Sequence, residues 1–173
     1  MERTELKIRK FGDPVLRKKA IPVRDVKPAH KEILSRMARL MYEDEGVGLA
    51  SPQVGISEAL IVVDIGKGLY KLINPKILKA RDSQVNKEGC LSVPGICLKV
   101  RRAGKVLVGA LDEDGKPVNI EAEGLLACVF QHEIDHLHGK LIIDYASLLE
   151  KVRIAGMLKE LKRSTKDGLC LSL

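Results

Sequence analysis

The stretch "LLACVFQHEIDHLHG", residues 125–139, places four ionisable side chains, His132, Glu133, Asp135 and His136, within an apolar pattern of helical period. Leu125, Leu126, Val129, Phe130, Ile134 and Leu137 surround most of this helix, so it belongs to a core. Ionisable groups in such a place are costly unless they are paired or bind a metal. His132 and His136 are four residues apart and project from one helical face, where both imidazoles can hold one ion. Glu133 points off that face. Any fold of this chain must therefore wrap a polar, metal-binding helix in an aliphatic shell.

Two histidines leave a catalytic metal one protein ligand short. Cys128 lies on the same face but fails on distance. It is eight residues from His136, about 12 Å along a helix, whereas ligands of one ion sit about 3–4 Å apart. Cys128 therefore reads as a core residue and His138 as a surface residue at the helix end. Downstream, Glu150 or Glu160 could serve if the last helix packed on the site. Upstream, "KEGCLSVPG" (87–95) offers Cys90 in a segment extended enough to lie alongside the helix, and a thiolate is a good soft ligand.

The rest of the chain predicts an α+β domain in which antiparallel hairpins pack around the central HExxH-bearing helix, with a C-terminal helix after it. "PAHKEILSRMARLMYEDEG" (28–46) has helical spacing, Pro28 in its first turn and Gly46 at its end. "ALIVVDI" (59–65) reads as a buried strand. "LYKLINP" reads as its hairpin partner, closed by Pro75, and 104–124 forms a hairpin turning at "EDGK". Ser147 and Glu150 fit a capping box that opens the last helix. Its expected packing face is Val152, Ala155, Leu158 and Leu161. One domain is expected over 1–173, with a frayed tail from about 167 to 173.

Aromatic residues are only 3% and tryptophan is absent, which argues against base-stacking modes of single-strand binding. A net charge of +7 suits either a solvated surface or an acidic partner such as RNA or a ribosome. Cys90, Cys97, Cys128 and Cys170 show no C-x-x-C spacing, and "MERTELKIRKFGDP" has no apolar stretch of a signal peptide. These features point to a cytoplasmic setting with no membrane or DNA partner.

Three segments carry a resemblance. "GVGLASPQ" (46–53), "EGCLS" (88–92) and "QHEIDHLHG" (131–139) are similar, in order and spacing, to the three motifs of peptide deformylases, over nearly the whole chain. The resemblance implies that Cys90 is the third metal ligand beside His132 and His136. It implies a metal-dependent hydrolase that removes the formyl group from formyl-methionine at the start of new polypeptides and releases formate. Glu133 would be the general base and acid, and the Gln53 side-chain amide with the Leu91 N–H would form the oxyanion hole. Native Fe(II) is implied, with Zn(II) or Ni(II) as replacements. Val47, Gly48, Gly89, Leu125, Cys128 and Val129 are the expected substrate contacts, with Gly46 and Gly48 giving room for an extended peptide. The basic C-terminal helix resembles the bacterial form that docks on the ribosome.

Two departures stand out. Ser51 replaces the family's usual alanine, and Cys97 stands where many relatives have a charged or polar residue. A general HExxH peptidase is disfavoured because the extended zinc motif is absent, with Ile142 where its third His would stand. A non-catalytic RNA-binding protein with a structural metal is disfavoured because such a site needs four protein ligands.

Overall fold

The computed structural model describes residues 5–167, so the expected tail beyond Asp167 lies outside the described residues. Strands β1 (Gly48–Ala50), β2 (Leu60–Val63) and β3 (Tyr70–Arg81) join β6 (Lys105–Leu111) and β7 (Pro117–Glu123) in an antiparallel sheet of order β1-β2-β3-β6-β7. A separate hairpin pairs β4 (Gln84–Glu88) with β5 (Leu98–Arg102). Helices α1 (Pro28–Glu43), α2 (Gly124–Leu137) and α3 (Leu148–Asp167) complete the α+β architecture.

The run read as a buried strand is β2, and its period of two supplies two cores at once. Ile61 and Val63 pack with Ala127, Phe130, Ile134 and Leu137 of α2, while Leu60 and Val62 pack with Leu34, Met37 and Met41 of α1. All four β2 residues are buried, which is why the strand reads as an unbroken apolar run rather than an alternating one. A third apolar cluster joins Leu98 and Val100 of β5 to Val93, Ile142, Ile143 and Ile154. It fixes the β4–β5 hairpin over the end of α2.

Several expectations are corrected. Pro75 does not close a hairpin, because β3 runs through it to Arg81. The register against β6 shifts between Ile73 and Lys76, and a bulge is where a strand tolerates a residue with no N–H. Asn74 takes a left-handed φ of 53° there, and its side chain pairs with both the N–H and the C=O of Val23. The segment around Cys90 is a turn rather than an extended run, with the Val93 N–H donating to the Cys90 carbonyl. The β4–β5 hairpin has no counterpart in the sequence reading, since its strands are polar and nine residues separate them.

At the last helix the capping box is present: the Ser147 N–H donates to Glu150 and the Glu150 N–H donates back to Ser147 Oγ. The expected packing face is only half right. Ile154, Leu158 and Leu161 pack on the body, whereas Val152 is 77% exposed and Ala155 faces solvent too. Ile154 is a branched side chain facing the β5 cluster, and it sets the helix rotation that turns Val152 outward.

Candidate metal centre and substrate cleft

Helix α2 carries His132 and His136 on one side, and the turn after β4 brings Cys90 to them. Cys90 Sγ lies 3.3 Å from His136 Nε2, which lies 3.2 Å from His132 Nε2. The three ligand atoms all fall within 4.8 Å of one another. Two Nε2 atoms so close cannot both carry a proton toward each other, and a cation is the group that satisfies both lone pairs and the sulfur together. One soft thiolate and two imidazoles suit a divalent transition metal.

Glu88 orients this set. Its carboxylate takes Arg102 in a bidentate pair at 2.8 and 2.9 Å and accepts from His132 Nδ1 at 2.9 Å. A proton on Nδ1 leaves the Nε2 lone pair facing Cys90 and His136. Burial alone would raise the Glu88 pKa, but hydrogen bonds and charge from Arg102 and His132 outweigh it and lower it to about 2. Arg102 also reaches Asp135 at 2.5 Å, and the Tyr145 hydroxyl donates to the same Asp135 oxygen at 2.6 Å. Burial opposes the Arg102 charge, yet these carboxylates hold its pKa above the ordinary value.

Glu133, next to His132 on α2 and lining the same cleft, is in a different environment. Its residue is 3% exposed, and Oε2 has no hydrogen-bond partner among the described residues. Burial pushes its pKa up to about 7. Gly48 makes this position possible: a Cβ there would lie 2.3 Å from Glu133 Oε1. A Cβ on Gly46 would lie 3.0 Å from Leu91 Cδ1. Both glycines thus make room for side chains of this protein, a reason different from the open backbone expected for an extended peptide.

Gln53 is buried, with Oε1 held by the Ala50 N–H at 2.8 Å. That fixes the amide so that Nε2 points to Cys90 Sγ at 3.7 Å and Ser92 Oγ at 3.2 Å. Leu91 follows Cys90 directly and accepts from Lys10 Nζ at 2.9 Å through its carbonyl. Ser51 is fully buried but satisfied: its hydroxyl donates to the Glu58 carbonyl and accepts from the Leu60 N–H. Cys97 is exposed.

A cleft of about 410 Å³ opens beside this centre. Val47, Gly48, Gly89, Leu125, Cys128 and Val129 line it together with Asn86, Gln53, Cys90, Leu91 and Glu133. Cys128 stays out of the metal set. Its thiol donates to Glu88 Oε1 at 3.2 Å, and burial raises its pKa to about 12. His138 is exposed at the helix end, as expected, with Nδ1 2.8 Å from the Ile134 carbonyl. Glu150 caps its own helix and Glu160 is exposed, so neither is the third ligand.

Sequence reasoning gave no role to Glu88, Arg102 or Tyr145. Asp135 was noticed only as a buried charge needing a partner, and that need was the available signal for Arg102.

The sequence model of the polypeptide deformylase family matches residues 5–152. The chain belongs to the peptide deformylase family. The deformylase of Halothermothrix orenii is 55% identical over 141 residues, which is 80% of this chain and 92% of that one. A crystal structure of a Legionella pneumophila deformylase superposes with a TM-score of 0.86 at 43% identity, covering 93% of this chain and 97% of its own. A Synechococcus elongatus deformylase in complex with actinonin superposes at 0.81 with 38% identity, covering 99% of this chain and 92% of that one. Among the described residues of this deformylase, no helix is long and apolar enough to cross a membrane.

Proposed function

We propose that this protein hydrolyses the formyl amide at the N-terminus of formyl-methionyl polypeptides, in the cytoplasm, and releases formate. The observation that carries the reading is a buried carboxyl with a pKa near 7, Glu133, beside three converging ligand atoms from Cys90, His132 and His136. Those three would hold one divalent ion, Fe(II) in the cell with Zn(II) or Ni(II) as replacements. Bound there, the ion would supply Lewis acidity and bring the pKa of water toward neutrality.

The chain's own groups supply the rest. Glu133 takes the proton of the attacking water and delivers it to the departing nitrogen, a shuttle favoured by a pKa close to the working pH. The Gln53 amide, locked by Ala50, donates to the oxygen that gains charge, with the Leu91 N–H as its partner. Val47, Leu125, Cys128 and Val129 receive the methionine side chain, while Gly48 and Gly89 bring backbone close to the peptide. Formate release should be fast from formyl-Met peptides, much slower from formyl-Asp or formyl-Gly ones, and without cleavage of internal bonds. Equal release from all three, or internal cleavage, would defeat the assignment.

The partner of the basic α3 is proposed to be the ribosome. Lys159, Lys162 and Arg163 are all exposed, and contacts to phosphate give salt-dependent association. Reversing the three to Glu should spare short-peptide activity and weaken ribosome pelleting at low salt. Unchanged co-sedimentation would leave α3 with packing alone.

A further inference from the structure

A segment that the reaction above leaves unused, residues 9–11, runs behind the turn that carries Cys90 and Leu91. Three consecutive residues there grip both halves of the proposed oxyanion hole. The Arg9 N–H donates to the Gln53 carbonyl at 2.6 Å, Lys10 Nζ to the Leu91 carbonyl at 2.9 Å, and the Phe11 N–H to the Ser92 carbonyl at 2.8 Å. On its outer side this strap is held by α3, whose Thr165 hydroxyl donates to the Phe11 carbonyl at 3.0 Å. Of the three bonds only that of Lys10 uses a side chain, so it alone depends on which residue stands there.

Leu91 is the second residue of a β-turn that the Val93 N–H closes on the Cys90 carbonyl at 2.9 Å. The peptide joining Leu91 to Ser92 is the middle of that turn, and turn types differ mainly in which way this middle peptide faces. Its oxygen is the one that Lys10 holds. The Leu91 N–H belongs to the preceding peptide and has no acceptor among the described residues. The Leu91 side chain packs against the α1 cluster, and the residue lines the cleft. With side chain and carbonyl both engaged, the N–H is the group that Leu91 has left to offer a substrate.

We propose that Lys10 is a positioning residue for formyl-amide hydrolysis: its ammonium fixes the middle peptide of the turn and so aims the Leu91 N–H at the oxygen that gains charge. This rests on the reading that Leu91 and Gln53 form the oxyanion hole. Donors fixed in advance stabilise a developing charge because they need not turn toward it during the reaction. A charged donor holds a carbonyl more firmly than a neutral one. Lys10 is half-buried and is not among the cleft-lining residues, so its effect passes through Leu91.

The test is the kinetics of formyl-Met peptide hydrolysis by metal-loaded Lys10→Met and Lys10→Arg. Loss of a whole oxyanion donor costs about 10²–10³ in kcat, and a donor kept but loosened should cost less, about ten-fold. KM should stay within about two-fold, since loss of an interaction made only in the transition state lowers kcat and kcat/KM alike. The deformylated Met peptide has no formyl oxygen and should inhibit Lys10→Met as well as it inhibits wild type. Lys10→Arg keeps both charge and donor, and should recover kcat to within about three-fold. In metal-free protein the Leu91 amide NMR signal should broaden in Lys10→Met and sharpen again in Lys10→Arg. A merely structural role would lower kcat, raise KM and weaken the product peptide together, and would overturn the inference. Wild-type kcat in Lys10→Met would overturn it too. Gln53→Leu separates the two readings: if it loses kcat while Lys10→Met does not, only the role of Lys10 falls. If neither variant loses kcat, the oxyanion hole falls with it.

Discussion

Glu88 and Glu133 are two buried glutamates packed around one helix, yet their acidities move in opposite directions. Burial raises Glu133 from 4.5 to about 7. The same burial acts on Glu88, but Arg102 and His132 overcome it and bring its pKa from 4.5 to about 2. The difference is pairing. Glu88 has a partner for both oxygens, and its cluster extends through Arg102 to Asp135 and Tyr145. Glu133 has an oxygen with no hydrogen-bond partner among the described residues, held in place by backbone that only glycine leaves open. A satisfied charge cluster holds geometry, while an unsatisfied carboxyl is ready to trade a proton.

The largest expected effect comes from breaking the reactive side. Cys90→Ala and His132→Ala should lose metal and formate release together. Glu133→Gln should keep stoichiometric metal and lose about 10²–10⁴ in turnover. Metal analysis alongside formate assays decides it. Near-normal turnover of Glu133→Gln would end the proton-shuttle role.

Breaking the paired side should instead cost stability. Arg102→Leu leaves buried Glu88 and half-buried Asp135 without their cation, and should destabilise by about 3–5 kcal/mol in urea unfolding. It should also weaken metal binding about 10–100-fold, because Glu88 would no longer hold His132 in place. A loss below about 1 kcal/mol would show that the cluster is not what fixes the hairpin to α2.

The two glutamates should then oppose each other in the pH dependence of the metal-free protein. Glu88 has a lowered pKa in the folded state, so its stabilisation is present above about pH 4.5 and is lost as pH falls toward 2. Glu133 has a raised one, so the folded state is favoured below 4.5 and that advantage is lost as pH rises through about 7. Glu133→Gln should therefore raise the melting temperature of chelator-treated protein at pH 8 by about 5 °C, and leave it nearly unchanged at pH 4.5. An equal shift at both pH values would contradict the buried, protonated carboxyl.

The smallest effect is expected on α3, away from both glutamates. Val152→Lys should change stability by no more than about 0.5 kcal/mol, since Val152 is exposed. Ile154→Ala should cost about 2–4 kcal/mol. The reverse order would restore the packing face read from sequence.

What the sequence determined by itself was what is local. Two histidines four apart share a face because the helix repeats every 3.6 residues, and Ser147 and Glu150 cap α3 because three residues span its first turn. The unbroken apolar run of β2 and the "EDGK" turn between β6 and β7 are also local signals, and both elements are present. The third metal ligand could not be read this way. Cys90 lies 46 residues from His136 and was reached through a family resemblance, and only the fold brings its sulfur beside the imidazoles. The Glu88–Arg102–Asp135 cluster needed the tertiary structure for the same reason, since its members come from two strands and a helix. So did the rotation of α3, because a helix with apolar residues on two faces does not state which will find a partner. Local geometry decides which groups a segment presents, and packing decides which of them meet.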